Sequence, residues 1–545
     1  MSDSERPVVG ETQGAPMTEW ESIPAMTKDA AVRFGDRLAV RDGHTELTYE
    51  QLFDRSRSFA GGLVDRGVEP GDRVAVWAFN SAEWIIAVLG LFQAGCVLVP
   101  VNTRFKGVEA SGILRRSSAR VLVTVTDFLD TDYLSILASA GIELPELETI
   151  IVASGRVPSG AISWSSFVSD VPASAIEKVG RRSAAINADD MSDILFTSGT
   201  TGVAKGVVMT QSRTLGIATD WVRMTGLSVN DRYLMINPYF HMFGLKAGIL
   251  ACVASGAAMF PQAVFNVESV LARVAEEQIT VLPGPPTLYQ AILDHPRRDG
   301  FDLSSLRVAV TGAADIPVQL VRRIDEELPF SRVITAYGLT EAGTASATVP
   351  DDDAEAVATT VGKPRPGFEI RVVGPDSRQV ACSEAGEVLL KGPTVMLGYL
   401  DDPEATAAAL SPQGWLQTGD LGVMDENGRL RIVGRAKEMF IVGGFNAYPA
   451  EIENALLRHP GISQAAVIGI PDARLGEVGM AFVVTTSKAQ LQPDEILTWC
   501  RDQMANYKVP RALQILDELP VNATGKVVKE ALRTRVADQG RIQPL

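Results

Sequence analysis

The sequence predicts an α/β protein of several domains, because its 545 residues are too many for one ordinary hydrophobic core. Strand and helix patterns alternate through the first third of the chain, which is typical of a parallel sheet with helical crossovers. After Gly362 the strands shorten and turn residues multiply, which favours an antiparallel subdomain. We therefore expect a large N-terminal domain of stacked α/β layers that carries a small β-barrel-like subdomain, followed by a small α+β C-terminal domain.

Local signals place the elements in order along the chain. Residues 48–51, Thr-Tyr-Glu-Gln, form a capping-box pattern that begins a helix running to Arg66. Ser81 can cap a helix over residues 82–94. Strands are predicted at residues 73–77, 96–100, 279–282, 308–311 and 333–336. In the last unit we expect helices at residues 449–458 and 494–504 and a strand at residues 465–470.

These patterns divide the chain into three segments. Residues 1–18 are polar and lack the apolar core of a signal peptide, so we expect a disordered lead-in. Residues 19–436 are expected to form the large domain, and residues 437–545 the small one. No low-complexity linker separates these two domains, which predicts a hinge with little slack near Lys437.

Composition excludes several classes of function. The 50 basic and 66 acidic side chains give a net charge of −16, which argues against a nucleic-acid surface. The most apolar stretch, residues 85–101, contains Gln93 and Pro100, and we expect a buried helix end and a strand there, with no membrane span. The four cysteines and four histidines are scattered and form no zinc or disulfide pattern. A reducing compartment, and hence a cytoplasmic location, is expected.

Residues 196–206, Phe-Thr-Ser-Gly-Thr-Thr-Gly-Val-Ala-Lys-Gly, predict nucleotide chemistry. Hydroxyls and the Lys205 ammonium can donate hydrogen bonds to phosphate, and glycines let the backbone approach a polyphosphate. The run is not a P-loop, because Gly206 follows the lysine where that motif has Ser or Thr. The alternative is a plain surface loop. Strand patterns on both sides favour a loop that is pinned at its two ends. The candidate phosphate ligands are Thr197, Ser198, Gly199, Thr200, Thr201, Gly202 and Lys205.

Residues 337–341, Tyr-Gly-Leu-Thr-Glu, follow a predicted strand and could complete such a site. An aromatic ring beside a glycine can lie against a flat base, and Thr340 can bind phosphate. Glu341 can hold Mg²⁺, which prefers oxygen ligands. The alternative is an ordinary strand end followed by a helix cap.

Together with four later segments, these motifs resemble those of the adenylate-forming superfamily, which includes acyl-CoA synthetases, luciferases and peptide-synthetase adenylation domains. The later segments are residues 415–420, 434–437, 443–449 and 520–526. The resemblance extends from about residue 20 to residue 533. One departure is Ala204, which stands where the family usually has proline before the loop lysine.

The resemblance implies a role for each matching residue. Lys526 matches the catalytic lysine that bridges the carboxylate and the α-phosphate, and Lys437 matches the hinge about which a mobile C-terminal domain turns. The ATP site would comprise the phosphate loop, with Thr340 near the α-phosphate, and Gly312, Ala313, Ala314, Ala336, Tyr337, Gly338, Asp420 and Arg435. Asp420 would accept hydrogen bonds from the ribose diol, and Glu341 with Thr201 would hold Mg²⁺. CoA would pass along Gly443, Gly444 and Phe445.

Residues 238–244 resemble the family's gate at the acyl pocket, in which His241 begins a helix and is counted here as a catalytic residue. The implied pocket residues are apolar and partly small, which admits a bulky or branched acyl group: Tyr239, Phe240, His241, Gly244, Leu245, Gly284, Pro285 and Gly343. Lys246 follows this gate. We expect it to extend to the surface, the alternative being a polar partner for a ketone of the substrate.

Three classes of function compete. The first is an acyl-CoA synthetase that uses ATP, Mg²⁺ and CoA on a small carboxylic acid. The second is an adenylation enzyme that loads an amino acid onto a carrier, but residues 240–250 contain no acidic side chain and no carrier module is seen after Leu545. The third is a non-catalytic nucleotide-binding protein, but Glu341 and Lys526 are both present. We therefore expect an acyl-CoA synthetase.

Residues 241–250 and 444–449 are similar to actinobacterial ligases of steroid catabolism, which activate the propanoate side chain of a bicyclic ring remnant. Medium-chain fatty acids and aryl acids remain alternatives. The expected partners are thus small molecules, without nucleic acid or a membrane span. A homodimer and a lysine acetyltransferase that acts on Lys526 are further expectations, since acetylation would remove the required charge.

Overall fold

The computed structural model describes residues 20–197, 204–312, 316–442, 445–472, 474–486, 491–522 and 526–538. Its helices are α1 (Ile23–Phe34), α2 (Tyr49–Asp65), α3 (Ala82–Gln93), α4 (Gly107–Arg116), α5 (Tyr133–Ser139), α6 (Trp164–Ser169), α7 (Ala173–Ala185), α8 (Gln211–Thr225), α9 (Met242–Gly244), α10 (Ala251–Ser255), α11 (Val267–Glu277), α12 (Pro286–Leu293), α13 (Val318–Glu327), α14 (Ala354–Thr359), α15 (Pro403–Ala409), α16 (Pro449–Leu456), α17 (Pro493–Gln503) and α18 (Lys529–Asp538). A π-helix (Leu245–Leu250) joins α9 to α10, and a short 3-10 turn covers Arg298–Gly300.

The strands are β1 (Leu38–Asp42), β2 (Thr45–Thr48), β3 (Arg73–Trp77), β4 (Val97–Pro100), β5 (Ala119–Val125), β6 (Thr149–Ser154), β7 (Ile162–Ser163), β8 (Met191–Thr197), β9 (Lys205–Thr210), β10 (Arg232–Met235), β11 (Ala258–Pro261), β12 (Val281–Gly284), β13 (Val308–Thr311), β14 (Arg332–Leu339), β15 (Gly343–Ala347), β16 (Lys363–Pro364), β17 (Glu369–Val373), β18 (Ala385–Lys391), β19 (Gly398–Tyr399), β20 (Leu416–Met424), β21 (Leu430–Arg435), β22 (Phe440–Val442), β23 (Phe445–Ala447), β24 (Ile462–Asp472), β25 (Gly476–Thr485) and β26 (Ala512–Ile515).

Two large, mostly parallel sheets form the N-terminal region, which confirms the predicted α/β class. One has the order β16-β15-β14-β13-β12-β10-β11-β1-β2, and the other the order β19-β9-β8-β4-β3-β5-β6-β7. The unit β3–α3–β4 is parallel, with Arg73 opposite Val97, as the spacing of its signals predicts. The predicted capping box is also present, since Thr48 and Gln51 exchange hydrogen bonds at the start of α2. Helices cover these sheets, because strands rich in Val, Ile and Leu are apolar on both faces.

Each large sheet carries a hairpin on one side, and these hairpins position the candidate site. In the second sheet β8 and β9 run antiparallel, and Thr197 lies opposite Lys205 at the open end. In the first sheet β14 continues directly into a tight turn and returns as β15, with Leu339 opposite Gly343. The two hairpins therefore hold the ends of the phosphate loop and residues 340–342 on fixed strands.

Two smaller sheets follow. Strands β17, β18, β20 and β21 form an antiparallel sheet, which agrees with the pattern of short strands after Gly362. The last unit has the order β23-β22-β25-β24, with β26 parallel to β25, and helices α16, α17 and α18 belong to the same unit. Its hydrophobic core is made of side chains between Phe440 and Leu532, with Phe482 among the fully buried ones. The last unit is thus an α+β arrangement with its own core.

Four predicted strands differ in extent from the observed ones, and the first of them, predicted at residues 96–100, begins one residue later at Val97. The strand predicted at residues 279–282 begins later, at Val281 of β12. Residues 279–280 still belong to the turn that follows α11, whose C-cap Gln278 adopts a left-handed conformation. The strand predicted at residues 333–336 continues to Leu339 because β15 pairs with its second half. For the same reason the strand predicted at residues 465–470 spans Ile462–Asp472, paired along its length with β25. Among the described residues, no helix has both the length and the apolar character that crossing a bilayer requires.

Candidate active site

A cleft of about 600 Å³ lies between the N-terminal sheets and the last unit of the chain. Strand β14 contributes Ala336, Tyr337 and Gly338 to its wall, and the antiparallel sheet contributes Asp420 and Arg435. From the last unit come Lys526, Lys529 and four residues of the α16 segment: Ala450, Glu451, Asn454 and Arg458. The cleft therefore brings together residues from four of the predicted motifs.

Asp420 is the centre of the hydrogen-bond network in this cleft. It is 4% exposed, accepts a hydrogen bond of 2.6 Å from the Tyr337 hydroxyl and pairs with Arg435 through Nε at 2.8 Å. Asp420 and Arg435 lie opposite each other on β20 and β21, so the sheet register fixes their contact. Burial and the adjacent carboxylate raise the pKa of Tyr337 well above its usual value, and the phenol stays a donor. A carboxylate with remaining lone pairs next to an aromatic wall suits a ribose diol and a base.

Glu341 forms a second cluster with two residues of the phosphate-loop sheet. The Tyr399 hydroxyl donates to Glu341 Oε1 at 3.1 Å, and Lys205 Nζ lies 4.9 Å above the Tyr399 ring. Burial raises the pKa of Glu341, because a carboxylate charge is poorly solvated there. A group of three or more His, Cys, Asp or Glu side chains that could hold a metal is absent from the described part of the chain. A single carboxylate nevertheless fits Mg²⁺, which keeps waters and binds substrate phosphates rather than a full protein cage.

The structure describes only the two ends of the predicted phosphate loop. Thr197 Oγ1 donates to the Lys205 carbonyl at 3.5 Å, which keeps the strand ends together. Arg116, at the end of α4, donates to the carbonyl of Ala204 and stacks on Phe196 at 5.4 Å. Five predicted ligands lie outside the described residues, namely Ser198, Gly199, Thr200, Thr201 and Gly202. Neither Arg116 nor Tyr399 belongs to a recognisable motif, so neither was predicted from the sequence.

Lys526 reaches the cleft from a short loop that is closed by hydrogen bonds. Its backbone N–H donates to Asn522 Oδ1 at 2.9 Å, and the Asn522 N–H donates back to the Lys526 carbonyl at 2.8 Å. Lys526 is half-buried and lines the cleft together with Asp420 and Tyr337.

Ion pairs anchor the segment after Lys526. Lys529 Nζ lies 3.1 Å from Glu438 Oε2 and 2.8 Å from Glu453 Oε1. Burial acts to raise the pKa of Glu438, but the Lys529 and Lys526 ammonium groups outweigh it, so this pKa is lowered. At the predicted hinge, burial and then the charge of Arg435 lower the pKa of Lys437. An acidic chain thus concentrates cations around this cleft, which suits a polyphosphate.

The predicted acyl-pocket residues are divided between a second cleft and the core. Phe240 and Pro285 line a cleft of about 500 Å³ together with Phe79, Phe128 and Leu288. Tyr239 and Leu245 are fully buried, and Gly284 lies in the buried strand β12. Gly343 is at the start of β15, where its φ of +78° and the nearby Ile217 side chain favour glycine.

His241 begins α9, as predicted. Its Nδ1 accepts a hydrogen bond of 3.2 Å from the Phe243 N–H, and burial lowers its pKa to about 4. The imidazole is therefore neutral at pH 7. The first turn of this helix packs closely against the preceding loop at Gly244. A Cβ at that position would lie 2.3 Å from the Pro238 carbonyl oxygen, so only glycine fits there.

Lys246 is the clearest correction to the sequence analysis. We expected it to extend to the surface, but its side chain is completely buried and pairs with Asp193 of β8 at 2.8 Å. Lys246 lines neither of the two clefts described above. The surface expectation is wrong because a buried carboxylate from another element compensates the ammonium charge.

Several predicted residues cannot be placed. Ala313 and Ala314 of the adenine segment and Gly443 and Gly444 of the CoA segment lie outside the described residues, and for Phe445 only the backbone, in β23, is described. Gly312 ends the described part of the adenine segment, and a Cβ there would lie 2.8 Å from the Ala336 carbonyl oxygen. Thr340 lies half-buried in the turn between β14 and β15, beside Glu341.

Comparison with known proteins identifies the family. The AMP-binding enzyme family matches residues 27–400, and its C-terminal domain family matches residues 451–526. The 3-[(3aS,4S,7aS)-7a-methyl-1,5-dioxo-octahydro-1H-inden-4-yl]propanoyl:CoA ligase of Rhodococcus jostii (strain RHA1) is 47% identical over 95% of this chain and 99% of its own. The ligase of the same name from Mycobacterium tuberculosis (strain ATCC 25618 / H37Rv) is 46% identical over the same shares. A feruloyl-CoA synthase of an Amycolatopsis species is 35% identical over 91% of this chain and 95% of its own.

Solved structures agree with this relationship. The anthranilate CoA ligase AuaEII in complex with anthranoyl-AMP superposes with a TM-score of 0.88 at 27% identity, over 96% of this chain and 98% of that one. ATP-bound MatB from Rhodopseudomonas palustris superposes with a TM-score of 0.80 at 28% identity, over 95% of this chain and all of that one. The chain belongs to the AMP-binding enzyme family, and it is an ATP-dependent, AMP-forming acyl-CoA synthetase.

Proposed function

We propose that this enzyme activates 3-(7a-methyl-1,5-dioxo-octahydro-inden-4-yl)propanoate or a close bicyclic analogue. The observation that carries the proposal is the pair of near full-length relatives, 46–47% identical, whose names specify that acyl group. Relatives named for ferulate and medium-chain acids are 35% and 30% identical. The aromatic and apolar cleft beside Phe240 and Pro285 is consistent with a bulky apolar acid.

In the first step, the carboxylate oxygen attacks the α-phosphorus of ATP, and the bond to the pyrophosphate oxygen breaks. Lys526 would face the negative charge that builds up between carboxylate and phosphate. Lys205 and the phosphate loop would hold the leaving pyrophosphate, and Asp420 with Arg435 would hold the ribose. Mg²⁺ on Glu341 would offset phosphate charge when bound.

In the second step, the CoA thiol attacks the acyl-AMP carbonyl carbon, the C–S bond forms, and the bond to AMP breaks. We propose that residues 437–545 turn about Lys437 between the steps, which withdraws Lys526 and brings the CoA segment forward. The thiol proton passes to solvent, because the pKa of His241, about 4, makes its imidazole too weak a base to take it. Acetylation of Lys526 and formation of a homodimer stay predictions.

We expect Asp420→Asn to raise the apparent KM for ATP about 10- to 100-fold, with a smaller change in kcat. The reason is that the ribose would lose hydrogen bonds to a charged group, and Arg435 would lose its buried counter-ion. The measurement is steady-state AMP release as a function of ATP concentration. Tyr337→Phe is the matched control, because it keeps the ring and removes only the hydroxyl that donates to Asp420. An equal rise of KM in both variants would contradict the role given to Asp420.

The substrate proposal is tested with a panel of carboxylates in a coupled AMP-release assay. The panel contains the bicyclic propanoate, ferulate, anthranilate and octanoate, with and without CoA. We expect kcat/KM for the bicyclic acid to exceed that for each other acid at least about tenfold, since pocket contacts distinguish acids by a few kcal/mol. A preference for ferulate or octanoate would replace the proposed substrate by an aryl or medium-chain acid. CoA-independent accumulation of acyl-AMP with every acid would favour the carrier-loading class instead.

A further inference from the structure

The buried ion pair between Asp193 and Lys246 has no part in the two-step mechanism proposed for the active site. Both side chains are 0% exposed, and Lys246 Nζ lies 2.8 Å from Asp193 Oδ1. The other carboxylate oxygen accepts hydrogen bonds from Ser192 Oγ at 2.7 Å and Thr214 Oγ1 at 2.6 Å. Hydrogen bonds therefore fix Oδ2 of Asp193, whereas Oδ1 lies at ion-pair distance from the Lys246 ammonium.

The pair joins two elements with different tasks. Asp193 lies on β8, the strand that ends at Thr197 and leads into the phosphate loop. Lys246 lies in the π-helix Leu245–Leu250, which directly continues the helix begun by His241 at the acyl gate. π-Helical turns are rare and are frequently found at functional sites. A third element is connected through Thr214, which donates to Asp193 and lies on α8, the helix that follows the phosphate-loop hairpin.

Stability alone does not account for such a pair. Burial removes both charges from water, and well-packed apolar residues of the same volume are often as stable or more so. Burial accordingly lowers the pKa of Lys246, while Asp193 counteracts that effect. What an ion pair adds over an apolar contact is a defined distance and direction between two backbones.

We propose that Asp193 and Lys246 are positioning residues that hold the acyl gate in register with the phosphate loop during acyl-AMP formation. The inference rests on the proposed two-step function of this site. In the first step the carboxylate and ATP are separate molecules, so the protein must set the distance between the attacking oxygen and the α-phosphorus. In the second step the acyl group and AMP are already one molecule, and their relative position no longer depends on the pair.

The test uses the double variant Asp193→Asn/Lys246→Met in the full-length enzyme. Asparagine keeps an acceptor for Ser192 and Thr214, and methionine keeps an unbranched side chain without charge. Carboxylate-dependent ATP–pyrophosphate exchange reports the first step, and thioester formation from supplied acyl-AMP reports the second. We expect kcat of the exchange to fall at least about tenfold and the thioester rate to stay within about threefold, because small misplacements cost large factors only where geometry is set by the protein.

The control is Asp220→Asn/Arg365→Met. In that ion pair Asp220 is 19% and Arg365 11% exposed, and Asp220 also lies on α8, but the pair connects α8 to the segment after β16. We expect the ratio of the two step rates to stay at the wild-type value. If the Asp193 double variant does not fold, the test is made with Thr214→Val instead. This nearly isosteric substitution removes one hydrogen bond to Asp193. A loss of exchange without a loss of thioester formation supports the inference.

The inference would be overturned if the variant tested has the wild-type ratio of the two step rates, whether both rates are unchanged or both fall equally. The assay is run with whichever acid of the panel the wild-type enzyme activates fastest. A failure of the bicyclic acid as substrate is then seen in the wild-type protein, whereas a failure of the positioning role is seen only in the variants.

Discussion

Lys526→Ala is expected to slow acyl-AMP formation roughly 10²–10³-fold, the range found when one preorganised donor to a transition-state oxyanion is removed. Lys526 lines the cleft that also contains Tyr337 and Asp420, so its ammonium can reach the place where carboxylate and α-phosphate meet. Thioester formation from supplied acyl-AMP should stay within about threefold, because in the proposed mechanism the lysine is withdrawn before the second step. ATP–pyrophosphate exchange and a thioester assay with supplied acyl-AMP measure the two steps separately.

Two further variants make this result specific. Lys526→Arg keeps the charge but replaces a compact ammonium by a planar guanidinium, so we expect recovery of less than about a tenth of the wild-type exchange rate. Lys178→Ala removes a surface lysine, 43% exposed, that pairs with Glu69 on the N-terminal region, and it should leave both steps unchanged. Equal loss of both steps in Lys526→Ala would show that the lysine supports the fold or the cleft as a whole, not the adenylation chemistry.

Which residues would line the cleft was more predictable than the contacts that they make there. Sequence motifs singled out Tyr337, Asp420, Arg435 and Lys526, and all four line one cleft. The bond between Asp420 and Arg435, however, depends on the pairing register of β20 and β21, and no local sequence signal specifies that register. The α/β class was predictable because hydrophobic periodicity and turn residues are local properties of the chain.

Contacts between residues that are distant in the sequence could not be predicted from local patterns. Tyr399 reaches Glu341 only because β19 pairs with β9 at the edge of a sheet, and an isolated Gly-Tyr dipeptide does not indicate that contact. Lys246 was expected at the surface because lysines usually are. Its burial depends on Asp193, a residue of a different strand, and only the assembled fold brings the two together.

Glu341→Gln is expected to have opposite effects on turnover and on stability. Turnover should fall roughly 100-fold or more, because the substitution removes the proposed carboxylate ligand of Mg²⁺. Even the mutation of an outer-shell partner of a metal site typically lowers metal affinity or activity about 10–100-fold. The thermal midpoint of the ligand-free protein at pH 7 should instead rise. Burial raises the pKa of Glu341, so its ionised form destabilises the folded state, and an amide of the same shape avoids that cost.

The pH dependence follows from the sign of this shift. Folding raises the pKa of Glu341, so the protonated carboxyl group is the form that favours the folded state. Its contribution to the free energy of unfolding is complete below the unfolded pKa of about 4.3 and is lost as the pH rises through the folded pKa. The midpoint of Glu341→Gln should therefore exceed that of the wild-type protein at pH 8, and the difference should shrink as the pH is lowered towards 5. Differential scanning calorimetry of the two ligand-free proteins across this range measures it.

Glu438, which lines the cleft together with Lys526, provides a control of opposite sign. Its pKa is lowered, because the charges of Lys529 and Lys526 outweigh burial, so the ionised form stabilises the folded protein above the unfolded pKa. Glu438→Gln should lower the thermal midpoint at pH 7, and the loss should diminish as the pH falls through the folded pKa. Two carboxylates that line or adjoin one site would then respond to the same substitution in opposite directions. If Glu341→Gln also lowered the midpoint, its carboxylate would already be compensated within the protein, and the case for a cation at that position would fail.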